Sequence, residues 1–441
     1  MLDRTISPDF QTIKSINFPP VQALTLSNGI PLYVVNVGEQ PVIKIEFSFE
    51  AGNWRETQNG VSLFTAKMIT EGTSQHSSTQ ISEYFDKFGS FTETGHGLDR
   101  ANFVVYGLKK HLPSLLPIVQ ELLQDSVFPE KELDSLKSIQ LNALQVNSEK
   151  TSFIANKTFR KTIFGEVHPY GKSLDEVAIE DINQEVLVNF YRNYWQGRPF
   201  KIFLSGNISD VEIALMQEYF GGFVVGGAGG NVVGGDTDHG ADNGKGTNHG
   251  VNLIPTIIEN IVIEKEGAIQ SSIRMGKHLM TRKHPDYFPM LLLNEILGGY
   301  FGSRLMKNIR EEKGLTYGIS SNLALFSQAG YFVIGTDVKR EFTQQTVDEI
   351  HKEIKILQTE LVDESELETV KNYMVGSFAG SLNTPFDIAD RYKVIFSEKL
   401  PLDFYQNYIP NIQQISAIQL LETANKYLGL ETLTEIVVGG K

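Results

Sequence analysis

The sequence predicts an α+β fold made of two tandem homologous domains, each a mainly antiparallel sheet with helices packed on one face. Three observations carry this expectation. Stretches of period two alternate with amphipathic stretches of helical period, one segment near the middle is dominated by glycine, and the two flanks of that segment resemble each other in order.

In the first flank, Ile30 to Val37 and Val42 to Phe49 read as neighbouring strands of a hairpin, with Ile43-Lys-Ile-Glu-Phe-Ser-Phe49 alternating as a half-buried strand does. Ala101 to Gly107 is a further strand. Leu112, Leu115, Leu116, Val119, Leu122 and Leu123 then recur at helical spacing, and Pro129-Glu130 opens another helix. In the second flank, Ser320 to Phe326 and Gly330 to Asp337 form a hairpin. A helix follows from Phe342 to Leu357, and Asp363-Glu364 opens the next. Leu133 and Lys137 of the first flank find counterparts in Leu367 and Lys371, as a tandem duplication requires. Gly221 to Gly250 is glycine filled in with Asn, Asp and Thr; it buries too little to offset its backbone entropy and is expected to be a flexible linker. The expected domains are therefore 1–220 and 251–441, joined by 221–250.

Composition removes several functions. With 39 Lys and Arg against 53 Asp and Glu, the net charge of -14 argues against nucleic acid as a partner, because neutralising phosphates needs clustered cations. The total absence of cysteine excludes disulfides, thiolate metal sites, iron-sulfur clusters and cysteine nucleophiles. No stretch approaches the roughly 18 apolar residues of a membrane span, and Met1 to Pro8 has no apolar run behind a basic one. The chain reads as soluble, cytoplasmic by default and periplasmic if a signal peptide has been removed.

None of the nine histidines forms an i, i+4 pair or a His-x-His, so no local zinc site is expected. His96 between two glycines, and His168 and His284 before prolines, suggest turns; His239 and His249 fall in the glycine-rich segment. There is no Gly-x-Ser-x-Gly elbow, no phosphate loop and no kinase set.

The segment Gly60-Val-Ser-Leu-Phe-Thr-Ala-Lys-Met-Ile-Thr-Glu-Gly-Thr73 resembles the active-site helix of the inverted-motif zinc peptidases, the family of pitrilysin, insulin-degrading enzyme and the mitochondrial processing peptidase. The likeness lies in the leading Gly, the central Phe-x3-Met and the closing Gly-Thr. In that family the helix carries His-x-x-Glu-His, two zinc ligands and a general base. The frame puts Leu63 at the first His, Ala66 at the Glu and Lys67 at the second His. Leu and Ala offer no lone pair, and an ammonium repels a divalent cation. Where the family's further acidic ligand would lie, the chain reads Gln140-Leu-Asn-Ala-Leu-Gln145, with Glu149 the nearest acid. No metal is expected to bind here.

Other landmarks match in order: Leu26 to Leu32, Phe88-Gly-Ser90 with Asp99, His168-Pro-Tyr-Gly171, and Tyr191-Arg-Asn-Tyr194 before the strand Lys201 to Gly206. The usual Asn-Ala is replaced by Thr92-Glu93, on the strand that faces substrate in the family. The second flank supplies Leu297-Gly-Gly-Tyr-Phe-Gly-Ser-Arg-Leu-Met-Lys-Asn-Ile-Arg-Glu-Glu-Lys-Gly-Leu-Thr-Tyr-Gly318. Ser303 can cap a helix running to about Lys313, Gly314 can supply a left-handed C′ residue, and Leu315 can open a strand. Arg310 and Tyr317 then have the family's spacing for a pair that binds substrate carbonyls and stabilises the developing oxyanion.

A chain that lacks the zinc helix but keeps Arg310 and Tyr317 resembles the non-catalytic subunit of a heterodimeric zinc peptidase. The resemblance implies a zinc-bearing homologous partner, peptide substrates, no metal of its own and no activity alone, with homodimers possible in the partner's absence. The acidic charge suggests basic peptides as a field-level tendency. The alternatives are a scaffold subunit of the same fold, in which Arg310 and Tyr317 merely pack, and an independent hydrolase using unrelated residues.

Overall fold

The computed structural model describes residues 13–223 and 258–440, so most of the expected linker, 224–250, lies outside the described residues. The chain divides into two compact units: Val21–Asn260, and Ile261–Lys441 joined by the stretch that ends at Pro20. Both boundaries differ from the expected ones for a packing reason. The Phe18 ring lies 5.0 Å from that of Tyr392 and 6.1 Å from that of Tyr405, and the Tyr392 hydroxyl donates to the Pro19 carbonyl at 2.8 Å, which ties this stretch to the second unit. At the other boundary, Phe223 is buried against Phe220 and Phe200, and the Asn28 amide donates to the carbonyls of Phe220 and Phe223. The first domain therefore continues through Phe223.

The first unit contains strands β1 (Gln22–Thr25), β2 (Pro31–Asn36), β3 (Val42–Phe49), β4 (Phe91–His96), β5 (Ala101–Leu108) and β6 (Lys201–Gly206). Its helices are α1 (Val61–Met68), α2 (Ser78–Lys87), α3 (Leu112–Asp125), α4 (Glu130–Ser148), α5 (Thr151–Phe164), α6 (Glu176–Asp181), α7 (Gln184–Tyr191) and α8 (Asp210–Phe220). The second unit contains β7 (Asn260–Ile263), β8 (Gln270–Leu279), β9 (Thr316–Leu325), β10 (Gly330–Lys339) and β11 (Thr434–Val438). Its helices are α9 (Tyr287–Asn294), α10 (Thr343–Thr359), α11 (Glu364–Gly380), α12 (Pro385–Glu398), α13 (Tyr408–Gln413) and α14 (Ala417–Tyr427), with π-helical segments at Glu295–Gly299 and Met306–Glu312. Among the described residues no helix is long and apolar enough to cross a membrane.

The sheets run β1-β2-β6-β3-β5-β4 and β7-β11-β8-β10-β9. Superposed in order, β3, β5, β4 and β6 correspond to β8, β10, β9 and β11, and a run of five helices separates the last two strands in each unit. The fold is α+β and duplicated, as the sequence predicts. One expectation fails: β2 and β3 are not a hairpin. β6 inserts between them, parallel to β2 and antiparallel to β3. Alternation identified both strands but carried no information about a partner more than 150 residues away in the chain. The β9–β10 hairpin is formed as expected.

In both units the inserted strand reaches a glycine at its end or one residue past it. Gly206 has φ +128°, and a Cβ there would lie 2.2 Å from the Val42 carbonyl oxygen; Gly439 has φ +120°, and a Cβ there would lie 2.6 Å from that of Gln270. Val42 and Gln270 are the first residues of β3 and β8. On β3, Ile43, Ile45, Phe47 and Phe49 join Leu115, Leu116 and Val119 of α3 in one core. Lys44 and Glu46 alternate with them and form an ion pair at 3.1 Å.

The matched pairs of the duplication carry the same chemistry. Leu133 and Leu367 are both buried. The Lys137 ammonium donates to the Glu180 carbonyl in α6 at 2.8 Å, and the Lys371 ammonium donates to the Gln413 carbonyl at the end of α13 at 2.9 Å. Each lysine caps a short helix, where its charge meets the negative end of the dipole. Lys371 is 5% exposed and Lys137 is more open. We expect Lys371→Ala to lower stability by about 1.5–3 kcal/mol, because a buried carbonyl loses a charged donor, and Lys137→Ala to cost under about 1 kcal/mol, because water replaces the donor. Urea unfolding of the two variants checks the order.

Candidate functional site

Helix α1 starts abruptly. Gly60, its N-cap, has φ +90°, and a Cβ there would meet Leu174 Cδ1 at 2.6 Å. Glycine provides no capping side chain, and Glu56 supplies one from four residues upstream. Its Oε1 accepts from the N–H groups of Gly60 (3.1 Å) and Ser62 (3.0 Å) and from the Ser62 hydroxyl (2.6 Å). A carboxylate at a helix N-terminus is favoured by the dipole. Burial nonetheless pushes the Glu56 carboxyl above its ordinary value, against the lowering effect of those bonds and of the Lys172 charge.

On this helix Ala66 is buried, Leu63 is half-buried and Lys67 is exposed. Leu63 and Lys67, four apart, share one face, as two metal ligands would. The residues do not fit zinc: an isobutyl, a methyl and an ammonium supply no lone pair to a cation. Among the described residues no three His, Asp or Glu side chains gather as a metal site.

What occupies the neighbourhood is a polar relay that sequence reasoning missed. His96 is the last residue of β4 rather than part of a turn. Its Nε2 lies 2.9 Å from Ser62 Oγ, and since the Ser62 proton goes to Glu56, Nε2–H donates and Nδ1 is left as an acceptor. Burial, helped by the Lys67 ammonium, pulls the His96 imidazole down to about 4. Lys67 thus helps hold His96 neutral. Ser62 is fully buried and gives its proton to a carboxylate, so the trio is not an activated nucleophile. The signal available in the sequence was a Glu four residues before a helix-opening glycine, too common a pattern to single out. His168 and His284 are turn residues as expected, each accepting at Nδ1 from the backbone N–H two residues on, at 3.1 Å.

In the second unit, Met306–Glu312 is π-helical, with the Lys313 N–H bonding back to the Asn308 carbonyl. Gly314 takes φ +63° as expected, and the Leu315 N–H closes onto the Ile309 carbonyl at 3.0 Å. The expected cap differs: the buried Ser303 hydroxyl has no hydrogen-bond partner. Carboxylates anchor the segment. Arg304 binds Glu366 through two bonds (3.0 and 2.7 Å), the Asn308 amide donates to Glu353 (2.7 Å), and Lys313 pairs with Glu349 (3.1 Å). Arg310 has no ion pair among the described residues; its guanidinium lies 4.8 Å from the centroid of the exposed Phe301 ring.

Tyr317 is aimed by a β-bulge. Thr336 faces Ile319 and Val338 faces Thr316, so Tyr317 and Gly318 together oppose Asp337. In a regular strand Tyr317 would share the inward face of Ile319; the extra residue turns it out, and it is 94% exposed. Two threonines pin the bulge. The Thr336 hydroxyl donates to the Gly318 carbonyl (2.9 Å), and the Thr316 hydroxyl donates to the Asp337 carbonyl (2.8 Å) while accepting from the Gly318 N–H (3.2 Å). No hydrogen bond joins Arg310 to Tyr317, and neither side chain makes a hydrogen bond or ion pair among the described residues.

A duplicated fold of this topology, with a helix at the expected place that carries no histidine or carboxylate, defines a peptidase-like protein. The insulinase (peptidase family M16) model matches residues 35–167 and the peptidase M16 inactive domain model matches residues 181–374; the chain belongs to the M16 peptidase family. It is 24% identical over 368 residues to YmxG of Bacillus subtilis, described as an uncharacterized zinc protease, covering 82% of this chain and 85% of that one. It is 21% identical to a non-peptidase homolog YmxG of Helicobacter pylori, over 91% of this chain and 90% of the other. Among solved structures, a peptidase M16 inactive domain from Pseudomonas fluorescens superposes with TM-score 0.82 at 22% identity, covering 96% of this chain and 98% of that one. A protease from Helicobacter pylori superposes with TM-score 0.81 at 16% identity, covering 96% and 99%.

The relay makes a pH prediction. An unfolded chain protonates His96 below its ordinary value of about 6.5, while the folded chain resists until about 4, so the stability this site contributes is complete above 6.5 and is lost as pH falls toward 4. The loss is on the order of 2–3 kcal/mol. His96→Gln is expected to flatten the stability profile over that window, measured by denaturant unfolding at stepped pH.

Proposed function

We propose that this chain is the non-catalytic subunit of a two-chain zinc metallopeptidase. It lends Arg310 and Tyr317 to peptide bound at a zinc site carried by a homologous partner. One observation carries the reading: an arginine without a counter-charge and a tyrosine turned out to solvent by a pinned bulge stand seven residues apart at the family's spacing. A scaffold gains nothing from either arrangement. A packing tyrosine would lie on the face of Ile319, and a structural arginine would be paired as Arg304 is. Free, both groups suit a substrate carbonyl. The guanidinium stays charged and offers several donors, and the phenol offers one directional donor where negative charge develops on oxygen.

The reading is supported on the other side by α1, whose Leu63, Ala66 and Lys67 leave the metal to the partner. The chain alone is expected to take up no stoichiometric zinc and to cleave no peptide, measured by metal analysis after dialysis and by a fluorogenic peptide. Mixed with a zinc-motif homologue from the same source, it should give activity that neither shows alone. In the mixture, Arg310→Ala or Tyr317→Phe should lower kcat by about a hundredfold or more, the usual effect of removing an oxyanion donor. Unchanged turnover in both variants would favour the scaffold.

A further inference from the structure

Beside α1 lies a cleft of about 460 Å³, contained within the first unit and formed by the end of β4, the facing residues of α4 and α5, and residues 172–174. Its charge runs against that of the whole protein. Lys157, Arg160 and Lys172 line it, and no carboxylate does, in a chain of net charge -14. Within a Debye length it is these local cations, rather than the acidic surface as a whole, that set the field a ligand meets. The tendency toward basic peptides suggested by composition therefore does not hold in this cleft.

The three cations differ in what they already do. Arg160 donates from Nε to the Tyr170 carbonyl (3.0 Å) and from Nη2 to the Lys172 carbonyl (2.7 Å), so it fixes the backbone that presents Lys172. Lys157 and Lys172 are half-buried, and neither has a carboxylate within ion-pair distance among the described residues. Glu56 feels the Lys172 charge but directs Oε1 to the start of α1. The other wall offers an acceptor. His96 is held with Nε2–H toward Ser62, which leaves Nδ1 of this lining residue as the acceptor. Half-buried unpaired ammonium groups gain most from a carboxylate, while an imidazole acceptor requires an N–H donor. A peptide that carries a carboxylate satisfies both walls at once; an inorganic anion satisfies one.

We propose that this cleft binds a peptide through a carboxylate held between Lys157 and Lys172, with a backbone N–H group of the same peptide donating to His96 Nδ1. The carboxylate is an Asp or Glu side chain or a free C-terminus. The site is complete in one chain, so its test needs no partner and stands apart from the fate of Arg310 and Tyr317.

Fluorescence anisotropy of the full chain with labelled hexapeptides decides the matter. One is alanine-based with a central Glu and an amidated end, the second has Gln for Glu, and the third has Gln and a free C-terminal carboxylate. The Glu peptide or the free-acid peptide should bind about tenfold or more tighter than the amidated Gln peptide, the loss expected when a charge-assisted pair is removed, and the stronger of the two identifies the carboxylate's source. The double variant Lys157→Gln/Lys172→Gln should erase the preference, while Lys161→Gln, whose lysine pairs with Glu166 at the surface, should keep it. Equal binding of all three peptides to the parent protein would overturn the proposal, and so would a folded double variant that retains the preference. Should the double variant not fold, the parent comparison decides alone.

Discussion

Both halves depend on a close backbone approach at the end of one strand. β6 and β11 arrive last in their units and must enter sheets whose other strands are already defined by the chain before them. At Gly206 and at Gly439 the incoming backbone passes so near the carbonyl of Val42 or Gln270 that a single added carbon has no room, and φ is positive in both. Glycine meets both demands without strain. The insertion places β3 and β8 at the interior of their sheets, and the helices that carry or border the candidate sites follow directly from those strands. With a bulkier residue at either position the terminal strand would stand off, and the connections to α1 and α9 would lose their fixed origin.

The duplication then diverges in chemistry while holding its frame. The lysine caps on α6 and α13 are the same interaction twice, as are the buried leucines one turn before them. Against that constant background the segments between the first and second matched strands of each unit have specialised differently. In the first unit the helix is capped by a remote carboxylate and its polar contacts are spent on keeping His96 neutral. In the second, the anchoring cations and amide are tied to Glu366, Glu353 and Glu349, which frees Arg310. The start of the first unit's helix thus spends its polar contacts internally, and the second unit leaves Arg310 and Tyr317 outward.

Much of this was legible in the sequence, because periodicity and order report on local structure. The helices from Leu112 and Phe342, the β9–β10 hairpin, the paired Leu and Lys positions and the left-handed Gly314 all follow from patterns within a few residues. The parallel insertion of β6 was not legible, since alternation does not name a partner. Phe18 and Phe223 crossed the expected boundaries because an aromatic ring in a loop looks the same in sequence whether it packs or not. The relay of Glu56, Ser62 and His96 escaped because its members come from a loop, a helix and the end of a strand, and residue types so common acquire meaning only when brought within 3 Å. The cleft escaped for a related reason: net charge averages over the surface and conceals a basic pocket.

The bulge at Tyr317 makes the outward phenol a matter of counting. Strand parity is binary, so one residue more or fewer between Thr316 and Ile319 exchanges solvent for core at that ring without altering a single side chain. Among relatives, the length of this short stretch therefore carries as much information about whether the tyrosine is available as the presence of tyrosine itself, and an alignment that slides a gap through it would erase the distinction.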